Sequence, residues 1–367
     1  MPFFVPTCLA VLMLSIACDS NQLAKQPQPI NPAPSLVPPI ENVMLQPPTD
    51  NHLLFEKGAE NSFYTSTGTG RPWTSGAYGC VRNGGSRMHE GVDIRCLQRD
   101  LAGEPMDEVH AAATGQVVFV NRLASASSYG QYAVLIHEIG GLVVYTLYAH
   151  LSLIRDDVEP GVKVFGGHLL GVMGRTANHN IPTERAHLHF EIGFVGSHDF
   201  DIWVRRHYQD PNFNKFGIWH GFNLLGLNPV PILISQKDQG HAFNLAKHIT
   251  DQPELIRIRI RGENLPFAKR QTGIVIGSNK GGNLTIKGYE VDLNINGTPI
   301  RIRPLTDWTG GKSRYQLVSV NDEVASKNTC RKLIFKKGAK WVLTDKGHRL
   351  IDLLATGVDK ETRTSTP

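Results

Sequence analysis

The chain has 367 residues, 41% of them hydrophobic and 19% charged, which is ordinary for a soluble globular protein. A formal net charge of +5 is modest. It favours an anionic polymer slightly and gives no ground for nucleic-acid binding, for which the chain also carries no motif.

Residues 3–17 form an apolar run too short to span a bilayer comfortably but of the right length for the core of an export signal. No Lys or Arg precedes Lys25, so the usual positive amino-terminal region is missing. Ser15-Ile16-Ala17-Cys18 resembles the lipobox of bacterial lipoproteins, with Ser15 where Leu is usual, and lipidation at Cys18 is expected ahead of simple secretion. Residues 19–52 are rich in Pro, Gln and Asn with few large hydrophobes. Such a segment is expected to be a disordered, extended tether. Roughly 310 residues remain, more than one core usually organises, so two folded units are expected.

The first unit, residues 53–232, reads as mainly β. Short alternating or apolar runs at 116–120, 132–137, 142–148 and 187–192 are separated by glycine-bearing turns such as Ile139-Gly140-Gly141. No helix of useful length is evident, and antiparallel sheets with an open groove on one face are expected. Within this unit His89 and Asp93 are nitrogen and oxygen donors four residues apart. Fully extended they would sit roughly 13 Å apart, too far for donors each about 2 Å from one ion. The chain must bend between them, and Gly91 is read as supplying that bend. On a strand, His187, His189 and Glu191 share one face while Leu188, Phe190 and Ile192 share the other. The same alternation puts Tyr148 and His150 on one face of 142–151, and Val143, Tyr145, Leu147 and Ala149 on the opposite one.

His89-x-x-x-Asp93, then Tyr148-Ala149-His150-Leu151, then His187-Leu188-His189-Phe190-Glu191, in that order, resemble the lysostaphin/LytM class of zinc endopeptidases, which cut peptide bonds in bacterial peptidoglycan. The likeness covers roughly residues 70–192, about a third of the chain. It implies one Zn²⁺ per chain, with His89, Asp93 and His189 as ligands and His150 and His187 as catalytic non-ligand histidines. An ion so held would acidify its water and polarise the scissile carbonyl, while the two free histidines handle protons and the oxyanion. Glu191 reads either as a partner of a ligand histidine or as a surface carboxylate at a strand end. Relatives often carry a tyrosine shortly before the first ligand. Here Asn83 and Gly84 stand there, with Tyr78 the nearest tyrosine, and the role is unassigned. The resemblance implies an exported protein of the cell envelope or periplasm, anchored or not through Cys18, with peptidoglycan as partner. Two other readings stay open: a silent wall-binding activator of other hydrolases, and a zinc peptidase acting on a different peptide.

Cys80 and Cys96 bracket the first two ligands. In an exported protein they are expected to form a disulfide closing a loop of about 15 residues, worth roughly 3 kcal/mol, with Cys330 a lone buried residue. Residues 194–229 are dense in aromatics and are expected in long loops, with Trp203 and Trp219 either lining the groove or filling a satellite core. His137, His168, His179 and His220 are assigned nothing. The second unit, 235–357, carries no catalytic constellation and is expected to be a smaller β-rich accessory domain. In 254–261 Ile256, Ile258 and Ile260 alternate inward with Arg257, Arg259 and Arg261 outward, and 300–303 repeats the pattern. These arginines read as a solvated strand face. A helix at 345–355 closes the unit and 358–367 is expected to be a disordered tail.

Overall fold

The computed structural model describes residues 43–68, 70–277, 285–327 and 330–358. The expected export signal, Cys18, most of the tether and all but the first residue of the tail lie outside them. The β-branched and aromatic runs form antiparallel strands. The strand His187–Val195 is buried along its whole length. Its first half pairs with Val92–Arg95 and its second half with Leu224–Leu227, while Leu142–Leu151 runs along the other edge. Gln131–Ile139, Gly115–Asn121 and Lys163–Val164 extend the sheet outward. A small hairpin, Gly79–Arg82 with Arg87–His89, leads into Val92–Arg95. A slip of one residue in the His187–Val195 register would exchange His189 with Phe190, which is fully buried. Burying such a side chain stabilises by about 1.5–3 kcal/mol, so the packing of this face fixes where the histidines point.

Residues 235–357, the expected second unit, hold a four-stranded antiparallel sheet in the order Pro299–Leu305, Gly288–Leu293, Ile256–Arg261, Tyr315–Val320, and their buried hydrophobics join those of the larger sheet in one core. Ile256, Ile258 and Ile260 face the core as the alternation requires. The helix Asp345–Ala355 closes the unit, its first turn capped by Thr344 accepting from Gly347 N at 3.2 Å. The units are tied together: Gln271 brackets Val143, accepting from its N–H at 3.0 Å and donating to its carbonyl at 2.8 Å. Among the described residues no helix is long and apolar enough to cross a membrane.

Several expectations are corrected. The tether ends earlier than residue 52, because residues 43–52 pack on the fold: Gln46 N donates to Ala112 O, and Leu45 and Asn51 are buried. Residues 194–229 are not all loop; they contain the end of the long strand, a helix Phe200–His207 and the strand Leu224–Leu227. Of the two readings for Trp203 and Trp219, core filling holds: they are 4% and 1% exposed. The arginine face is not simply solvated. Arg257, Arg301 and Arg303 converge on the buried Asp292 at 2.8, 2.7 and 3.0 Å, and Arg259 pairs with Glu290. The expected Cys80–Cys96 disulfide is absent: Cys80 pairs with Cys330, 250 residues away, and Cys96 is a buried free thiol. The local spacing favoured the short loop, but the hairpin carries Cys80 toward the second unit.

Candidate metal centre

Three donors converge at the edge of the large sheet. Asp93 and His189 face each other directly in the register between Val92–Arg95 and His187–Val195. His89 arrives from the hairpin strand after the chain turns at Glu90 and Gly91. Gly91 takes no left-handed φ. It is required for another reason: a Cβ there would lie 2.3 Å from Phe190 O, so only glycine lets the ligand loop close onto the strand. His89 Nε2, Asp93 Oδ1 and His189 Nδ1 then form a triangle whose three sides are each 3.1 Å.

The hydrogen-bond network assigns the tautomers. His89 Nδ1 donates to Ala77 O at 2.8 Å and His189 Nε2 donates to Glu191 Oε1 at 2.9 Å, leaving His89 Nε2 as an inward lone pair and His189 Nδ1 as the inward nitrogen that would give up its proton to a metal. Tyr129 and Tyr145 donate to the two oxygens of Glu191, each at 2.7 Å. Burial and the Glu191 charge keep both phenols protonated, so both remain donors. Neither tyrosine was found by sequence reasoning. The alternation along 142–151 already separated Tyr145 from Tyr148, but only the pairing of Gly193 with Tyr145 shows which face meets Glu191.

His150 and His187 stand beside the triangle. His187 Nδ1 donates to Arg185 O at 2.6 Å and its Nε2 lies 3.4 Å from Asp93 Oδ1. His150 Nδ1 donates to Thr176 O at 2.8 Å, and its ring centroid is 4.8 Å from that of His187. The route by which His150 gets there departs from the sequence reading. Tyr148 pairs with Phe190, on the face away from His189, and strict alternation would send His150 to that same face. Instead His150 adopts φ 63° at the strand end, a conformation costly for a bulky residue, and turns back toward the metal ligands.

Electrostatics reinforce the geometry. Burial alone would raise the Asp93 carboxyl, but His187, His89 and Arg82 together hold it well below the ordinary carboxylate range. Burial would likewise lower His189, yet its bonds to Asp93 and Glu191 carry it up to about 9. His150 is pushed well down by burial and by its histidine neighbours, so it is neutral near pH 7. For tetrahedral coordination with bonds of about 2.0–2.1 Å, donor atoms lie about 3.3 Å apart. The observed 3.1 Å triangle therefore fits a small divalent ion, and His₂Asp is a donor set suited to zinc.

A cavity of about 650 Å³ lies elsewhere, between Tyr78, Cys80, His248 and Asn296. It contains none of these five residues; of the polar side chains on its wall, Asn294 closes its own turn and Asn228 caps a helix.

Residues 87–201 match peptidase family M23. No curated protein matches the chain. Solved structures that align with it include Csd3 of Helicobacter pylori, at 20% identity over 41% of this chain and 30% of that one, with a TM-score of 0.25. A zinc-containing peptidase from Vibrio cholerae aligns at 21% identity over 41% of this chain and 37% of that one, TM-score 0.27. The catalytic domain of the antimicrobial peptidase lysostaphin from Staphylococcus simulans aligns at 25% identity over 43% of this chain and 86% of that one, TM-score 0.27. The chain thus spans about a third of the length of the first two proteins.

Proposed function

We propose that the peptidase family M23 domain at residues 87–201 makes this chain a zinc-dependent endopeptidase that hydrolyses peptide cross-links of bacterial peptidoglycan, exported to the cell envelope. The observation that carries the reading is the 3.1 Å donor triangle with two further histidines, of matched tautomer, beside it. His89, Asp93 and His189 hold the metal. When bound, the ion supplies Lewis acidity, acidifying water and polarising a carbonyl oxygen.

The other residues do what imidazoles can do at such a centre. His150 keeps Nε2 unprotonated because Nδ1 is committed to Thr176 O and burial opposes a second proton. It is the group fitted to accept a proton from an attacking water. His187 Nε2, 3.4 Å from Asp93 Oδ1, points at the centre and is fitted to donate to an oxyanion or to the leaving amine. Glu191, with its two tyrosine donors, fixes the His189 ring so that Nδ1 faces the ion. The second unit acts as an accessory module that buttresses this sheet.

The test is digestion of purified cross-linked peptidoglycan by the protein, with and without a chelator, alongside H150A and H189A, with products identified by mass. Chelator-sensitive loss of cross-linked dimers, abolished by both substitutions, is the expected result. Intact dimers in the presence of stoichiometrically bound zinc would overturn the reading and favour an activator or another peptide substrate.

A further inference from the structure

One cation reaches the donor triangle without being a ligand. Arg82 closes the first strand of the hairpin, followed by a turn in which Asn83, Gly84 and Gly85 all take positive φ, at 49°, 67° and 88°. That turn folds Arg82 back over the strand bearing His89. Arg82 Nη2 lies 2.6 Å from His89 Nε2 and 2.5 Å from Asp93 Oδ2, and its side chain is 16% exposed.

The two contacts differ chemically. His89 Nε2 is the lone-pair nitrogen, because Nδ1 donates to Ala77 O. An imidazole nitrogen has a single in-plane lone pair, so an arginine N–H and a metal ion cannot both use it. Asp93 has two oxygens. Oδ1 belongs to the triangle while Oδ2 serves Arg82, so those two roles coexist. Arginine also cannot yield by losing a proton, as a histidine can. It must rotate away from His89. The backbone behind it is held: Cys80, two residues earlier, is bonded to Cys330, and Tyr78 OH donates to Gly226 O at 2.7 Å.

We propose that Arg82 is a resident cation that competes with the metal for His89 Nε2 while staying on Asp93 Oδ2, and so sets the metal affinity of the centre. This rests on the metal-centre reading above. It also inverts the usual expectation for a residue beside a ligand. Partners that orient a ligand strengthen binding, and their removal weakens it. A competitor's removal strengthens it.

Zinc titration of the full chain against a competing chelator, at fixed pH and salt, separates the two. R82Q and R82M are expected to bind zinc about ten- to a hundredfold more tightly than the unsubstituted protein, the effect of one charge-assisted hydrogen bond no longer opposing the metal. R82K, which keeps the charge without the planar fork, should fall between. Using both R82Q and R82M, checked by circular dichroism, guards against a single variant that fails to fold. Unchanged or weaker affinity in the folded variants overturns the inference. If the unsubstituted protein binds no more zinc than H189A, the metal reading fails and this inference with it. If it binds zinc and the Arg82 variants bind no more tightly, only this inference fails.

Discussion

Two buried carboxylates anchor the two halves of the molecule. Asp93 and Asp292 are 1% and 0% exposed, each is ringed by basic side chains, and each is held low against the pull of burial by those neighbours. Asp93 is surrounded mainly by histidines, Asp292 by Arg257, Arg301 and Arg303. An imidazole can discard its proton and present a lone pair; a guanidinium can do neither. The first arrangement can therefore exchange protons for a metal, while the second is a closed ionic lattice that only holds three strands together. Burial and charge are nearly the same in both, and the lone pairs of the partners decide between chemistry and structure.

Replacing each carboxylate by its amide should break the comparison most sharply. D93N is expected to lose zinc binding and to cut peptide hydrolysis by roughly a thousandfold or more, as measured by calorimetry and product release. Its thermal midpoint should fall less than that of D292N, because the histidines relax by releasing a proton and only Arg82 is left without its carboxylate. D292N should do the reverse, destabilising by about 3 kcal/mol in denaturant unfolding, since Arg257, Arg301 and Arg303 lose their shared buried partner and keep only Glu254 and Glu290. Equal midpoints for D292N and the unsubstituted protein would show that the lattice contributes nothing.

His137 sharpens the contrast as a buried histidine with no carboxylate beside it. Its Nδ1 donates to Thr114 O and its Nε2 accepts from Thr146, and burial lowers it to about 4. The unfolded chain takes up a proton near pH 6.5, where the folded protein does not. The contribution is fully present above pH 6.5 and is lost as pH falls toward 4, amounting to about 3 kcal/mol. Unfolding midpoints measured across that window should drop in the unsubstituted protein and drop less in H137Q; His198, also lowered to about 4, keeps some slope in the variant. The smallest effect is expected at Glu191. E191Q keeps an acceptor for His189 but loses its charge, and zinc affinity should fall about ten- to a hundredfold. An unchanged affinity would remove Glu191 and its tyrosines from the account.

How far the site could be read in advance depended on how local each cause was. Alternation placed His187, His189 and Glu191 on one face and the three isoleucines of 256–260 in the core, because those strands are regular and one face is apolar. The same rule put Tyr145 opposite His150, whereas both serve the site, since a single left-handed residue at 150 breaks the period. Gly91 was needed as read, but for close approach to Phe190 and not for its φ. Arg82 went unremarked although Arg82-Asn83-Gly84-Gly85 is a strong turn signal, and a turn there returns Arg82 toward His89. The pairing of Cys80 with Cys330 has no local signature, because it depends on how two units meet.

That pairing carries a consequence for how the protein is made. If the chain is exported as proposed, Cys96 emerges long before Cys330, so the first partner offered to Cys80 in an oxidising compartment is the wrong one, only 16 positions along the chain. A premature bond between them would clamp the segment carrying His89 and Asp93 before the strand that should receive it exists. Any such bond must be exchanged by thiol–disulfide reshuffling once Cys330 is available. Replacing Cys96 by Ala would remove the decoy and speed the recovery of correctly bridged protein.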